Sequence, residues 1–156
     1  VPTGSRLVLN RAITVPANDA GVYIQNGEMA RSFWRVKQHY PYCALDLRRR
    51  RDTPQTVQPD EFTIVRVRQE IVYSMRADGM RLVRSPSIHV ADTDQGDGAS
   101  YEIYATIMTL RSERQPDVQR LTCAQWQYPP LQQHMTINEM RKTPGEPFTL
   151  RLPGKN

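Results

Sequence analysis

The sequence has no apolar run of the roughly 18 residues that a membrane-spanning helix requires. It has only two cysteines and three histidines among 156 residues, and aromatics make up 8%. Sequences of the GxSxG, SxxK, P-loop and GxGxxG types are missing, which removes the commoner hydrolase and nucleotide-binding readings. His39, His89 and His134 are far apart and fit neither HxH nor HExxH spacing. The two cysteines have no CxxC spacing, and two thiols alone do not complete a tetrahedral metal site. No metal, no cofactor and no enzymatic activity are expected on this reading. Lysine is scarce as well: Lys37, Lys142 and Lys155 stand against 18 arginines, so the net charge of +5 is an arginine charge.

What the chain does have is Cys43 and Cys123, 80 positions apart. Each sits in a β-like segment, Tyr42 to Leu47 and Arg120 to Gln125. The pair suits one long-range disulfide, and a disulfide points to an oxidising compartment. A Cys43–His39 nucleophile pair is the competing reading; a cysteine in an apolar strand with a second cysteine available fits a disulfide better. No leader is visible, and a chain beginning at Val1 matches either an exported protein after processing or a tagged cytosolic fragment, so the start only permits the exported reading. Val1 to Ser5 reads as a linker or an engineered remnant.

The length fits one β-rich domain spanning 1–156, long enough to bury roughly 70% of its unfolded surface. Short β-like segments recur at 6–10, 12–15, 21–25, 42–47, 62–74, 101–111, 118–125 and 148–152, with weaker ones at 80–83 and 87–90. Asn26-Gly27 tolerates the left-handed conformations of a type I′ turn and predicts a hairpin, with Phe33 to Val36 as its return or as a further strand. In 62–74, Val65, Val67, Ile71 and Tyr73 fall on one face and Arg66, Arg68 and Glu70 on the other, the alternation of a half-buried strand. Segment 101–111 is apolar on both faces and reads as a central strand. Thr136-Ile137-Asn138-Glu139 matches a capping box, so a two-turn helix is expected there, ended by Pro144-Gly145. The fold class is therefore mainly β: an antiparallel sandwich or open barrel with one short C-terminal helix. Stretches 48–60, 92–100 and 126–135 are expected to be loops.

Three features are candidates for recognition. Arg48, Arg49, Arg50 and Arg51 form the strongest charge run; it reads either as a solvated loop or as a grip on an anion, whether lipid head group, glycan or nucleic acid. Nucleic acid is the least expected of these, because no aromatics interleave with the run. Arg66 and Arg68 add charge on an exposed strand face. Trp34, Tyr40 and Tyr42 lie around the first cysteine, and Trp126 and Tyr128 follow the second. They read as a packed corner beside the disulfide or as an exposed aromatic patch for a protein partner. The acidic stretch Asp92 to Gly98 fails the calcium-loop pattern, with Gly96 fifth, Asp97 sixth and Ile103 twelfth.

The order Arg6-Leu7-Val8-Leu9-Asn10, Ile13-Thr14-Val15-Pro16, Val22 to Gly27, Tyr42 to Leu45 and Leu121-Thr122-Cys123 ahead of Met135 to Met140 resembles a group of uncharacterised secreted or lipoprotein-type proteobacterial envelope proteins. The resemblance implies export and a cysteine pair; it transfers no active site. Taken together, the sequence predicts a non-enzymatic periplasmic protein, with or without an outer-membrane anchor. It would act through contacts with other envelope proteins, as an accessory subunit of a larger assembly, with association to outer-membrane lipid open. The alternative is an anion-binding module built on Arg48 to Arg51.

Overall fold

A computed structural model describes residues 1–31, 35–37, 40–73, 102–127 and 133–154. Ten strands and one helix follow in order: β1 (Arg6–Leu9), β2 (Ile13–Val15), β3 (Gly21–Gln25), β4 (Glu28–Ala30), β5 (Tyr42–Leu47), β6 (Gln55–Val57), β7 (Asp60–Tyr73), β8 (Glu102–Arg111), β9 (Val118–Gln127), α1 (Ile137–Lys142) and β10 (Phe148–Arg151). Eight strands form one antiparallel sheet in the order β10-β1-β7-β8-β9-β5-β3-β4, curled into a half-barrel; β2 and β6 form a separate two-stranded ribbon.

Side chains alternate across the sheet, and burial separates its two faces. Leu7, Leu9, Ile24, Cys43, Leu45, Phe62, Ile64, Met108 and Leu121 line the inner face. Ile13, Val15 and Val57 of the ribbon and Met140 of α1 complete the same core, so ribbon and helix cap the half-barrel. Helix α1 is too short to be stable alone and depends on this packing. Its N-terminus carries the expected capping box: the Glu139 amide donates to the Thr136 hydroxyl, and the Thr136 amide donates to the Glu139 carboxylate at 2.7 Å. A smaller cluster lies on the outer face at one end of the sheet, where Tyr42, Val72, Ile103, Ala105 and Trp126 are buried.

Cys43 and Cys123 are directly opposite each other on the adjacent strands β5 and β9 and are bonded, with Cα atoms 4.0 Å apart. The disulfide staples neighbouring strands in the centre of the sheet, and both residues are fully buried.

Three expectations change. The Asn26-Gly27 turn has positive φ at both residues (52° and 79°), as a type I′ turn demands. A two-residue turn sends the chain straight back, so the return strand is Glu28–Ala30, and Arg35 and Val36 are not in a strand. Stretch 48–60 holds a strand, β6, and stretch 126–135 begins with the end of β9. In β7 the register shifts between Ile64 and Arg66, so Val65 is a bulge residue. Past the bulge Val67 packs against the inner core as the alternation predicts, whereas the bulge residue Val65 and Ile71 are each 40% exposed, and Val72 is buried on the opposite face in the outer cluster. A strict period-two reading cannot anticipate an inserted residue. Strand β8 lies between β7 and β9 and is buried over most of its length, as its two apolar faces predict. The candidate strands at 80–83 and 87–90, the acidic stretch 92–98, and Phe33, Trp34, His39, His89 and Tyr128 lie outside the described residues.

Residues 1–5 are tied to the sheet: the Gly4 amide donates to the Ile64 carbonyl, the Ile64 amide donates to the Ser5 carbonyl, and Ser5 is buried.

Candidate functional site

The register assembles one feature that no single stretch of sequence contains. Arg151 pairs with Arg6, Arg6 with Thr63, and Thr63 with Arg111. These four residues form a row across β10, β1, β7 and β8. All alternate with inner-face residues, so all project from the outer face. Their contacts agree: the Arg6 guanidinium donates to the Thr63 hydroxyl at 2.6 Å, and Arg6 and Arg151 both approach Glu61, at 3.6 Å each. The next row is Arg66, Thr109, Arg120 and Asp46. Arg68 follows on the same face of β7, 3.2 Å from Glu70.

Neutralisation across these rows is uneven. Arg120 and Asp46 form a mostly buried pair at 2.9 Å. Glu61 serves two arginines at once. Arg66 and Arg111 have no acidic partner within ion-pair distance among the described residues. The bulge residue Val65 is 40% exposed beside them. Two open hollows flank it, of about 360 and 430 Å³, and both are lined by Val65, Arg111, Ser112 and Glu113. Arg48 borders the first and Arg6 and Arg114 the second. The result is a groove that passes over Val65, with Arg6, Arg48, Arg111 and Arg114 along its rim and Asp60, Glu61 and Glu113 among them.

Asp60 fixes the loop beside this groove. Burial opposes its ionisation, but hydrogen bonds from the Ser112 hydroxyl, the Gln115 side-chain amide and the Glu61 backbone amide, with the Arg114 charge, outweigh that cost. Its carboxyl is therefore held below the usual value and stays ionised.

The Arg48–Arg51 loop is pegged at almost every residue. The Arg48 amide donates to the Asp117 carbonyl, and its Nε donates to the Pro116 carbonyl at 2.9 Å. The Gln55 side chain donates to the Arg49 carbonyl, and the Asn18 amide to the Arg51 carbonyl. Arg51 lies 3.8 Å from Asp117 and borders a third open hollow of about 400 Å³ with Arg114. The backbone is thus fixed while the guanidiniums of Arg49 and Arg50 stay exposed. Of the run, only Arg48 lines the hollow at Val65, together with Arg111.

The aromatic residues behave differently. Tyr42 and Trp126 are buried together on the outer face, and Tyr42 meets Tyr23 edge to face with ring centroids 6.3 Å apart. The Tyr42 hydroxyl is pushed up from its ordinary pKa by burial, as is that of Tyr23, where Asp46 and Asp19 add to burial. This is a packed corner. Among the described residues of the aromatic group, Tyr40 alone is exposed, at 62%.

Arg6, Thr63, Arg111 and Arg151 were not singled out from the sequence. They are separated by tens of residues, and only strand register brings them together.

The fold and this face define a disulfide-stapled antiparallel half-barrel with an arginine-bearing outer surface. No helix is long and apolar enough to cross a membrane among the described residues, and no group of metal-ligating side chains occurs among them. No family model, no curated protein and no solved structure matches the chain.

Proposed function

We propose that this is a non-enzymatic binding protein of an oxidising compartment, the periplasm, and that it acts through contacts with other envelope proteins, as an accessory subunit of a larger assembly. Its contact surface is the outer face carrying Arg6, Arg111 and Arg151. The observation that supports this reading is the alignment of three arginines in one cross-strand row beside an open groove. Arginine presents a planar fork of donors suited to carboxylates and is among the residues that dominate binding energy at interfaces. The buried disulfide is compatible with an exported protein and rigidifies the sheet that carries the row. Crosslinking in the envelope of the source cell tests the proposal. The wild-type protein is expected to capture discrete protein partners, and the Arg6→Glu/Arg111→Glu variant to lose them. Equal capture by both would reject the face.

A second reading is favoured by the pegged Arg48–Arg51 loop: a rigid anion-binding loop for a lipid head group or glycan, whether or not an outer-membrane anchor is present. Its mark is affinity that falls steeply with salt and is lost on neutralising Arg49 and Arg50.

A further inference from the structure

We infer that Asn26, at the tip of the β3–β4 hairpin, is a site of spontaneous deamidation, and that its conversion loosens the corner where the two edges of the sheet meet. The inference is independent of the proposed contact face. Four asparagines lie among the described residues, and their surroundings separate them. Asn10 is held by its side chain, which donates to the Glu146 carbonyl at 2.9 Å and to the Thr149 hydroxyl at 3.0 Å. The amide that follows Asn18 donates to the Pro16 carbonyl, and the amide that follows Asn138 donates to the Thr136 hydroxyl. Asn26 differs on each count. It is exposed, and among the described residues neither its side chain nor the Gly27 amide that follows it makes a hydrogen bond.

The chemistry uses that free amide. The Gly27 nitrogen attacks Asn26 Cγ; a five-membered succinimide closes as the Cγ–Nδ2 bond breaks, and the amide proton leaves with that nitrogen as ammonia. Water then opens the ring at either carbonyl, giving aspartate or isoaspartate. A type I′ turn holds its first residue at ψ of about +30°; its type II′ counterpart holds it at about −120°, where the following nitrogen eclipses Cβ and the ring can close. Both types serve two-residue hairpins. Rotation of the Asn26–Gly27 peptide plane converts one into the other with the Cα atoms in place. Gly27 accepts this rotation because its φ, 79° in the structure, swings to the negative side without a Cβ to clash. The type II′ form strains Asn26, so it is a minor conformer and the reaction is slow.

The consequence follows from where the turn sits. It leads into edge strand β4 and packs against the segment that leads into the opposite edge strand, β10. A Cβ on Gly27 would lie 3.8 Å from the Glu146 amide nitrogen, and one on Gly145 only 2.6 Å from the Gly27 Cα. The Arg11 guanidinium also donates to the Gly27 carbonyl at 3.5 Å. Isoaspartate inserts a methylene into the main chain between the two turn residues. The turn then no longer matches its two strands, and Gly27 is displaced from Gly145.

The test incubates the intact wild-type protein at mildly alkaline pH and maps mass changes in its tryptic peptides by tandem mass spectrometry. A gain of one mass unit is expected at Asn26, ahead of every other asparagine, with carboxyl methylation by an isoaspartyl methyltransferase marking the isoaspartate. The aged protein is expected to melt below the fresh protein. Asn26→Gly, which keeps a residue suited to positive φ, is expected to show neither the gain nor the drop in Tm over the same period. Conversion in urea but not in the folded protein overturns the inference, because the turn then protects the amide. Equally fast conversion of Asn10, Asn18 or Asn138 overturns it as well. Conversion at Asn26 with an unchanged Tm overturns the role given to the corner.

Discussion

Removing the disulfide gives the most quantitative test of the fold. Cys43 and Cys123 are 80 residues apart in sequence and are both fully buried. In the chain-entropy account, opening a loop of that length frees the unfolded chain by about 15 cal/mol/K, or about 4.5 kcal/mol at 25 °C. A chain of 156 residues has an unfolding entropy near 330 cal/mol/K, so the loss corresponds to a drop of about 14 °C in Tm. The clean perturbation is the double variant Cys43→Ala/Cys123→Ala, since alanine adds no polar atom to the core. A serine at either site would also bury a hydroxyl and overstate the effect. Urea unfolding followed by circular dichroism gives the free energy directly. A loss of about 4 kcal/mol or more is expected, a large part of the stability of an ordinary domain. A loss under about 1 kcal/mol would mean that the unfolded chain already keeps β5 and β9 together, which would refute the entropic argument. Because both sulfurs are buried, reductant added to the folded protein is expected to leave the bond intact, and reduction should follow unfolding. Fast reduction under native conditions would contradict the burial.

Three further outcomes follow from the same structure. Arg120→Met leaves the mostly buried Asp46 carboxylate without its guanidinium and is expected to cost about 3 kcal/mol, while Asp46→Leu/Arg120→Met together recover most of it in urea titrations. Asp60 has a folded pKa below its unfolded value of 3.8, so its contribution is complete above that value and is lost as pH falls below it. Stability of the wild type should therefore drop below about pH 4 more steeply than that of Asp60→Asn, and parallel acid titrations of the two would contradict the hydrogen-bond account. Gly145 has φ +66°, and a Cβ there would lie 2.6 Å from the Gly27 Cα. Gly145→Ala is accordingly expected to cost about 2 kcal/mol in thermal melts, through strain and through displacement of the β3–β4 turn.

Local chemistry was legible in the sequence wherever one short segment contained the whole signal. The Asn26-Gly27 turn, the Thr136–Glu139 capping box, the two-faced apolar strand β8 and the cysteine pair each carry their own physical reason. The mainly β class with one short helix followed from the succession of short strands and one capping box, while the choice of an open half-barrel over a sandwich waited on the strand order. The bulge at Val65 was not legible, because an extra residue in one strand is defined only against its partner. It takes Val65 out of the face that Val67 shares with the core, and Val65 lines both hollows of the outer face. The arginine row was hidden for a related reason. Arg48, Arg66 and Arg68 drew notice by density or alternation, but Arg6, Arg111 and Arg151 are isolated in sequence and meet only through the β10-β1-β7-β8 register. The aromatic group was legible as a cluster near the disulfide, while burial decides that Tyr42 and Trp126 serve packing.

The most direct test of the contact face is site-specific photocrosslinking in the source cell. A photoreactive residue at Thr63 sits in the arginine row; one at Met29, exposed on the edge strand β4, serves as the control. Discrete protein adducts from position 63, weakened by raising salt to about 0.5 M and missing from position 29, are the predicted result. Adducts from position 29 alone, or none from position 63 while the protein still associates with its partners, would contradict the assignment of the outer face.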